Sequence, residues 1–176
     1  MIEIRLLRPE DDRSRFRSGQ PDLDRFFARY AGQNQFRHHI GSTYVAVEDS
    51  EILGFMTVSP AQIEIDHLPA AQRKHLPHYP LPVLRLARLA VVESAQGRGI
   101  GHLLLRAALR LTRKMSEALG SVGLVVDAKL EAVAFYRRYG FEPLDMLEGA
   151  LGDRPEPVPM FLPLSGIPSK PSESKS

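Results

Sequence analysis

The stretch from Val83 to Gly101 constrains the fold of this chain more than any other. Val83 to Val92 is a long, largely apolar run that reads as a strand, and Ser94 to Gly101 follows as a turn with glycines at 97, 99 and 101. From His102 to Leu119, Leu103, Leu104, Ala107, Ala108 and Leu111 recur at helical spacing, so the turn opens directly into an amphipathic helix. Glycines at alternate positions let successive backbone N–H groups turn inward, and the helix behind them adds the positive end of its dipole. That combination is an anion cradle. Its spacing excludes two nucleotide motifs. A P-loop needs Gly-Lys-Ser/Thr, whereas Gly101 precedes His102; a dinucleotide fingerprint needs G-x-G-x-x-G, whereas this chain has G-x-G-x-G.

The flanking sequence supplies the rest of a layered domain. Ile2 to Leu7 alternates apolar and charged residues, the pattern of a half-buried strand. Asp22 is placed to cap a helix whose apolar face is Leu23, Phe26, Phe27, Tyr30 and Ala31. Thr43–Val47 and Ile52–Val58 flank a polar turn and predict a hairpin, with Ala61–Ile65 as a short extension. His67 to Pro82 holds four prolines and three histidines, which predicts a loop with at most one helical turn. Beyond the central helix come a buried strand at Ser121–Ala128, a helix at Leu130–Tyr139 stopped by Gly140, and a last strand at Pro159–Leu164. Hairpins first and alternating strands and helices later predict one α/β (α+β) domain over 1–164 with a mixed sheet. Residues 165–176, rich in Ser, Pro and Lys, are expected to be a disordered tail.

Composition removes other classes. With 43% hydrophobic and 25% charged residues the chain can bury a core. It has no cysteine, which excludes disulfides, thiolate zinc sites and a cysteine nucleophile, and suits a cytoplasmic setting. His75 and His78 lie in the proline-broken loop without an evident third ligand, so no metal is expected. No apolar run reaches the roughly 18 residues of a membrane span. The formal net charge of +2 says little, but the charge is unevenly placed. Arg13 to Ile40 holds six arginines against two acids, and Arg98 to Lys114 holds five cations and no acid. Arg25 and Arg29, with Arg37 if the helix persists, form a face able to track phosphates. Arg88 is different, because it sits within an apolar strand where an unpaired guanidinium is costly.

Gln96-Gly97-Arg98-Gly99-Ile100-Gly101 resembles the Q/R-x-x-G-x-G/A pyrophosphate loop of the GCN5-related N-acetyltransferases (GNAT), and Leu89-Ala90-Val91 resembles their fourth strand. Ala132-x-x-Phe135-Tyr136-x-x-x-Gly140-Phe141 is similar to their downstream signature. Leu23-Asp24, Thr43–Ala46, Gly54-Phe55, Arg88–Val91 and Val126–Ala128 extend the likeness to the toxin branch of that family, whose members acetylate the α-amino group of aminoacyl-tRNA. The resemblance implies a twisted mixed sheet splayed at an acetyl-CoA site and flanked by helices. It implies that Leu89, Ala90, Val91, the residues from Gln96 to Gly101, and Ala132 hold the cosubstrate. It also implies that an Ala90 or Val91 amide polarises the thioester carbonyl and that the Tyr136 hydroxyl protonates the leaving thiolate. Arg88 would then line the acceptor side, a ribbon-helix-helix antitoxin would be the partner chain, and a homodimer is implied.

The residues add a hint about the amine. Leu81 to Val92 contains no Asp or Glu, so this strand offers no carboxylate base. A lysine amine, with a pKa near 10.4, needs such a base more than an α-amine near 7.7–8.0 does. The absence favours an α-amine, with Glu64, Glu93 or water left as other bases. Two rival functions stay open: the same chemistry on a small amine or a protein N-terminus, and a non-catalytic module that binds CoA or RNA.

Overall fold

A computed structural model describes residues 1–144 and 157–169, which form a seven-stranded mixed sheet in the order β1-β2-β3-β4-β5-β7-β6. The strands are β1 (Glu3–Leu6), β2 (Ser42–Glu48), β3 (Glu51–Ile63), β4 (Leu81–Val91), β5 (Gly123–Ala128), β6 (Glu142–Pro143) and β7 (Val158–Pro163). All neighbours pair antiparallel except β4 and β5. The helices are α1 (Pro21–Arg29), the single turn α2 (Ala70–Arg73), α3 (Ile100–Ala118) and α4 (Val133–Arg137). Ala61–Ile63 is no separate strand but the end of a continuous β3.

Side-chain alternation divides the core between the two faces of the sheet. On one face, Met56 and Val58 of β3, Leu86 of β4 and Val126 of β5 pack under α3 through Leu104, Leu105 and Ala108. On the other, Phe55 of β3 meets Leu23, Phe26 and Phe27 of α1, with the Phe27 and Phe55 rings stacked at 4.4 Å. The same face has a second cover. Ile65, Leu68 and Leu76, from the connection between β3 and β4, pack on Val83, Val125 and Phe161. The site lies beside the start of α1, where Gln20, Asp22 and Leu23 face β4, the end of β5 and the segment leading into α4.

Two boundaries differ from expectation. Asp22 does not cap α1; Gln20 is the cap residue and Pro21 opens the helix, since proline has no N–H to leave unsatisfied there and its fixed φ suits the first turn. No side chain caps the helix; Asp24 instead ties the preceding chain to its first turn, accepting from the Ser18 amide at 3.0 Å and the Ser18 hydroxyl at 2.6 Å. The packed chain also runs beyond the expected end at 164. A 3-10 turn over Leu164–Gly166 puts Ile167 into the core, and the Arg113 guanidinium donates to the carbonyls of Leu164 and Ile167. Residues 170–176 of the expected tail lie outside the described residues.

Candidate active site

The site begins with a defect in the sheet. β4 pairs with β5 over Leu84–Leu86 only, whereas it continues beside β3 to Val91. Where they part, Ala87 is skipped in the register, Thr57 facing Arg88 and Val58 facing Leu86. A residue bulged out of one strand bends that strand and increases its twist, and here it turns the end of β4 away from β5. The resulting gap opens into a cavity of about 590 Å³ bordered by the start of α1 and by Tyr136 of α4.

The backbone of β4 is directed by the same pairing. Val92 N–H donates to Leu53 O at 2.9 Å, which fixes the alternation. Ala90 therefore turns its peptide groups toward β3, while Leu89 and Val91 turn theirs into the gap. Of the two amides expected to polarise a carbonyl, only that of Val91 faces the opening. The Val91 carbonyl accepts from Gln96 Nε2 at 3.1 Å, and the same amide group donates to Ser18 O at 3.0 Å. Gln96 thus ties the entry to α1 onto the end of β4, and its side chain is spent on that structural task.

At the far end of the gap, Gly97 and Gly99 have φ of +84° and +81°, a region that costs other residues roughly 1–2 kcal/mol, and a Cβ at either would meet nothing within 4 Å. α3 starts directly behind them, with no side-chain cap and no acid in its first turn. The Ile100 and Gly101 amides consequently have no hydrogen-bond partner among the described residues. A donor carrying a pyrophosphate fits this cradle. The Arg98 side chain is directed elsewhere, pairing with Glu48 at 2.9 Å.

Tyr136 borders the cavity from α4, and Ala132 and Leu89 line it as well. Tyr136 is only 5% exposed, its ring set edge-on to Phe135 and Phe141, and its hydroxyl has no hydrogen-bond partner among the described residues. Burial, and then the negative charge of Asp127, push the phenol well above its ordinary value, so it is protonated at neutral pH. Tyr139 is excluded by position: its hydroxyl bonds His102 Nδ1 and it does not line this cavity.

Arg88 also lines the cavity, with its guanidinium 3.7 Å over the Phe26 ring. It has no ion pair among the described residues, and burial lowers its pKa from the ordinary arginine value. Arg25 and Arg29 are exposed on α1, whose first turn borders the cavity; neither is among its lining residues. α1 does not persist to Arg37: it ends at Arg29 with Tyr30 as its C-cap, and Arg37 lies in a separate π-helix over Gln33–His38, which breaks the spacing that would align it with the other two.

Sequence reasoning missed the carboxylates. β4 carries none, yet Asp127 of β5 and Asp22 of α1 both line the cavity, so the bare β4 strand no longer favours an α-amine. Glu64 and Glu93 are not among the lining residues. Asp127 was detectable in principle, as an acid at the end of an otherwise apolar strand.

Three comparisons bear on this geometry. Residues 39–143 match the acetyltransferase (GNAT) domain family. The tRNA-acetylating toxin of Mycobacterium tuberculosis is 35% identical over 141 residues, which is 78% of this chain and 83% of that protein. The structure of AtaT complexed with acetyl-methionyl-tRNAfMet superimposes with a TM-score of 0.81 at 28% identity, covering 95% of this chain and 97% of the other. A tyrosine-to-phenylalanine AtaT mutant bound to the C-terminus of the antitoxin AtaR and acetyl-CoA superimposes with a TM-score of 0.73 at 27% identity, covering 94% and 95%.

Proposed function

The chain belongs to the GNAT family of acetyltransferases, and from that premise we propose that it transfers acetyl from acetyl-CoA to the α-amino group of aminoacyl-tRNA, acting in the cytoplasm as a toxin that blocks translation. The observation that carries this reading is the 35% identity to a tRNA-acetylating toxin over most of both chains. Acetyl-CoA supplies an activated acyl group as a thioester. The Gly97–Gly101 turn, through the Ile100 and Gly101 amides that lack partners among the described residues, holds its pyrophosphate, and Leu89, Val91 and Ala132 line the path of its arm. Val91 N–H polarises the carbonyl from the gap, and Tyr136, protonated at neutral pH, supplies the proton that the departing sulfur needs. Arg88 receives negative charge of the RNA end, and Arg25, Arg29 and Arg37 meet phosphates farther out.

Two partners belong to this reading. An antitoxin partner is supported by the relative AtaT, which is bound to the C-terminus of the antitoxin AtaR, and its ribbon-helix-helix type rests on the family resemblance. A homodimer rests on the family resemblance. Among the described residues no helix is long and apolar enough to cross a membrane.

The test is transfer of labelled acetyl from acetyl-CoA to a charged total tRNA pool, with wild type and Tyr136→Phe. Label on aminoacyl-tRNA that disappears in the variant is the expected result. Turnover only with small amines or peptides would keep the enzyme class and remove the toxin. No turnover with any amine would leave a binding module.

A further inference from the structure

We propose that Asp127 is the residue that receives the amino group of the substrate and, through its Oδ1, takes the proton that the nitrogen must lose. This rests on the reading of the reaction as amine acetylation. Asp127 stands at the end of β5, just past the point where β4 departs, and lines the same cavity as Tyr136. Its side chain is 12% exposed. Arg85 engages only one of its oxygens, Oδ2, from Nε at 2.8 Å and from Nη2 at 2.6 Å. Oδ1 has no partner among the described residues. Arg85 therefore fixes the carboxylate in place and leaves one oxygen to the cavity.

The other acid on α1 is already engaged. Both oxygens of Asp22 accept from Lys129, at 2.8 and 2.7 Å, and its side chain is 63% exposed. A second acceptor does await a donor. Gln20 Oε1 is buried without a hydrogen-bond partner, and Gln20 lines the same cavity. A buried acceptor left unpaired is unfavourable, and an amine with more than one N–H satisfies it together with Asp127 Oδ1.

The step balances without a further reagent. The amine lone pair forms the C–N bond, and the C–S bond of the thioester breaks. Asp127 Oδ1 takes one proton from nitrogen, and the Tyr136 hydroxyl gives its proton to sulfur. The proton on Asp127 then returns to the Tyr136 oxygen through the cavity, restoring both residues. The sum is one N–H replaced by an amide bond and one S–H formed.

The test uses the full chain, wild type and Asp127→Asn, with two readouts. In binding, wild type is titrated with tRNA carrying an aminoacyl group through a stable amide, and with its α-hydroxy counterpart. Wild type should prefer the amine about tenfold or more, and Asp127→Asn should lose the preference. In turnover of aminoacyl-tRNA, Asp127→Asn should lower kcat by about 100-fold, with the deficit narrowing as pH rises and hydroxide takes over as base. The wild-type preference needs no variant, so it decides the matter even if Asp127→Asn fails to fold. Equal binding of the two ligands by wild type, or an unchanged preference and kcat in the variant, overturns the role of Asp127 and leaves tRNA acetylation standing. Failure of wild type to acetylate aminoacyl-tRNA overturns the underlying reading with it.

Discussion

A single hydroxyl separates the role proposed for Tyr136 from its packing. Its ring is buried between Phe135 and Phe141, so Tyr136→Phe keeps the packing and removes only the hydroxyl proposed as the proton source. The variant should lose about 100-fold or more in kcat with both KM values nearly unchanged, measured by steady-state kinetics against each substrate. A loss confined to KM would remove the acid role. The pH dependence has a definite sign. Because the folded phenol titrates above its unfolded value of 10.0, its contribution to stability is full below that pH and is lost as pH rises toward the folded value. Urea melts in the alkaline range should therefore show wild type weakening more than Tyr136→Phe. The cradle glycines make a different prediction. Gly99 has φ of +81° and open space around it, so Gly99→Ala meets strain and no clash. The variant should stay folded while its KM for acetyl-CoA rises several-fold, as the loop relaxes out of the shape that aims its amides. An unchanged KM would show that these amides do not hold the pyrophosphate.

Elements position the site by how they pair, and pairing is what the sequence reveals least. The strand–turn–helix unit is legible because its signals are local: an apolar run, glycines at fixed offsets and a helical stripe. The departure of β4 from β5 is not, because it depends on the Ala87 bulge, which exists only in the register between Thr57–Val58 and Leu86–Arg88. Asp127 stands out as an acid in an apolar strand, but its place in the site was hidden for the same reason. Nothing in its own segment says that the strand beside it stops pairing at Leu86. The start of α1 was misplaced to Asp22 by reading a favoured cap type over the proline that opens the helix. β5 offers a sharp test of how tightly this sheet is built. A Cβ on Gly123 would collide with the Leu162 carbonyl oxygen and lie 2.7 Å from the Phe161 ring. Both neighbours belong to β7, so neither yields without breaking the pairing that seats β5. Gly123→Ala should cost about 3 kcal/mol or more in chemical denaturation, far beyond the usual penalty for a surface strand. A cost under about 1 kcal/mol would mean that β5 and β7 are free to separate.

At the scale of the whole molecule, charge sorts the possible acceptors. The net charge of +2 is too small to draw nucleic acid by itself, and the basic residues act through placement. Arg88 is within the cavity, whereas Arg25 and Arg29 are exposed on the helix that borders it. Exposed arginines without ion pairs among the described residues keep their charge available to phosphates. Each phosphate that an arginine neutralises releases counterions, so affinity for RNA falls linearly on a log–log plot against salt, with a slope set by how many phosphates are engaged. A small amine or a peptide terminus releases almost none. The KM for aminoacyl-tRNA should accordingly climb steeply with salt while that for acetyl-CoA climbs much less. Replacing Arg25 and Arg29 together by Gln should flatten the slope by about 0.7–0.9 for each phosphate no longer neutralised, with kcat little changed. Arg88→Met should act differently, because a residue inside the cavity orients the reacting end: kcat should fall as well as affinity. If the double variant keeps the wild-type slope, the RNA runs over another face, and the five cations between Arg98 and Lys114 become the place to look.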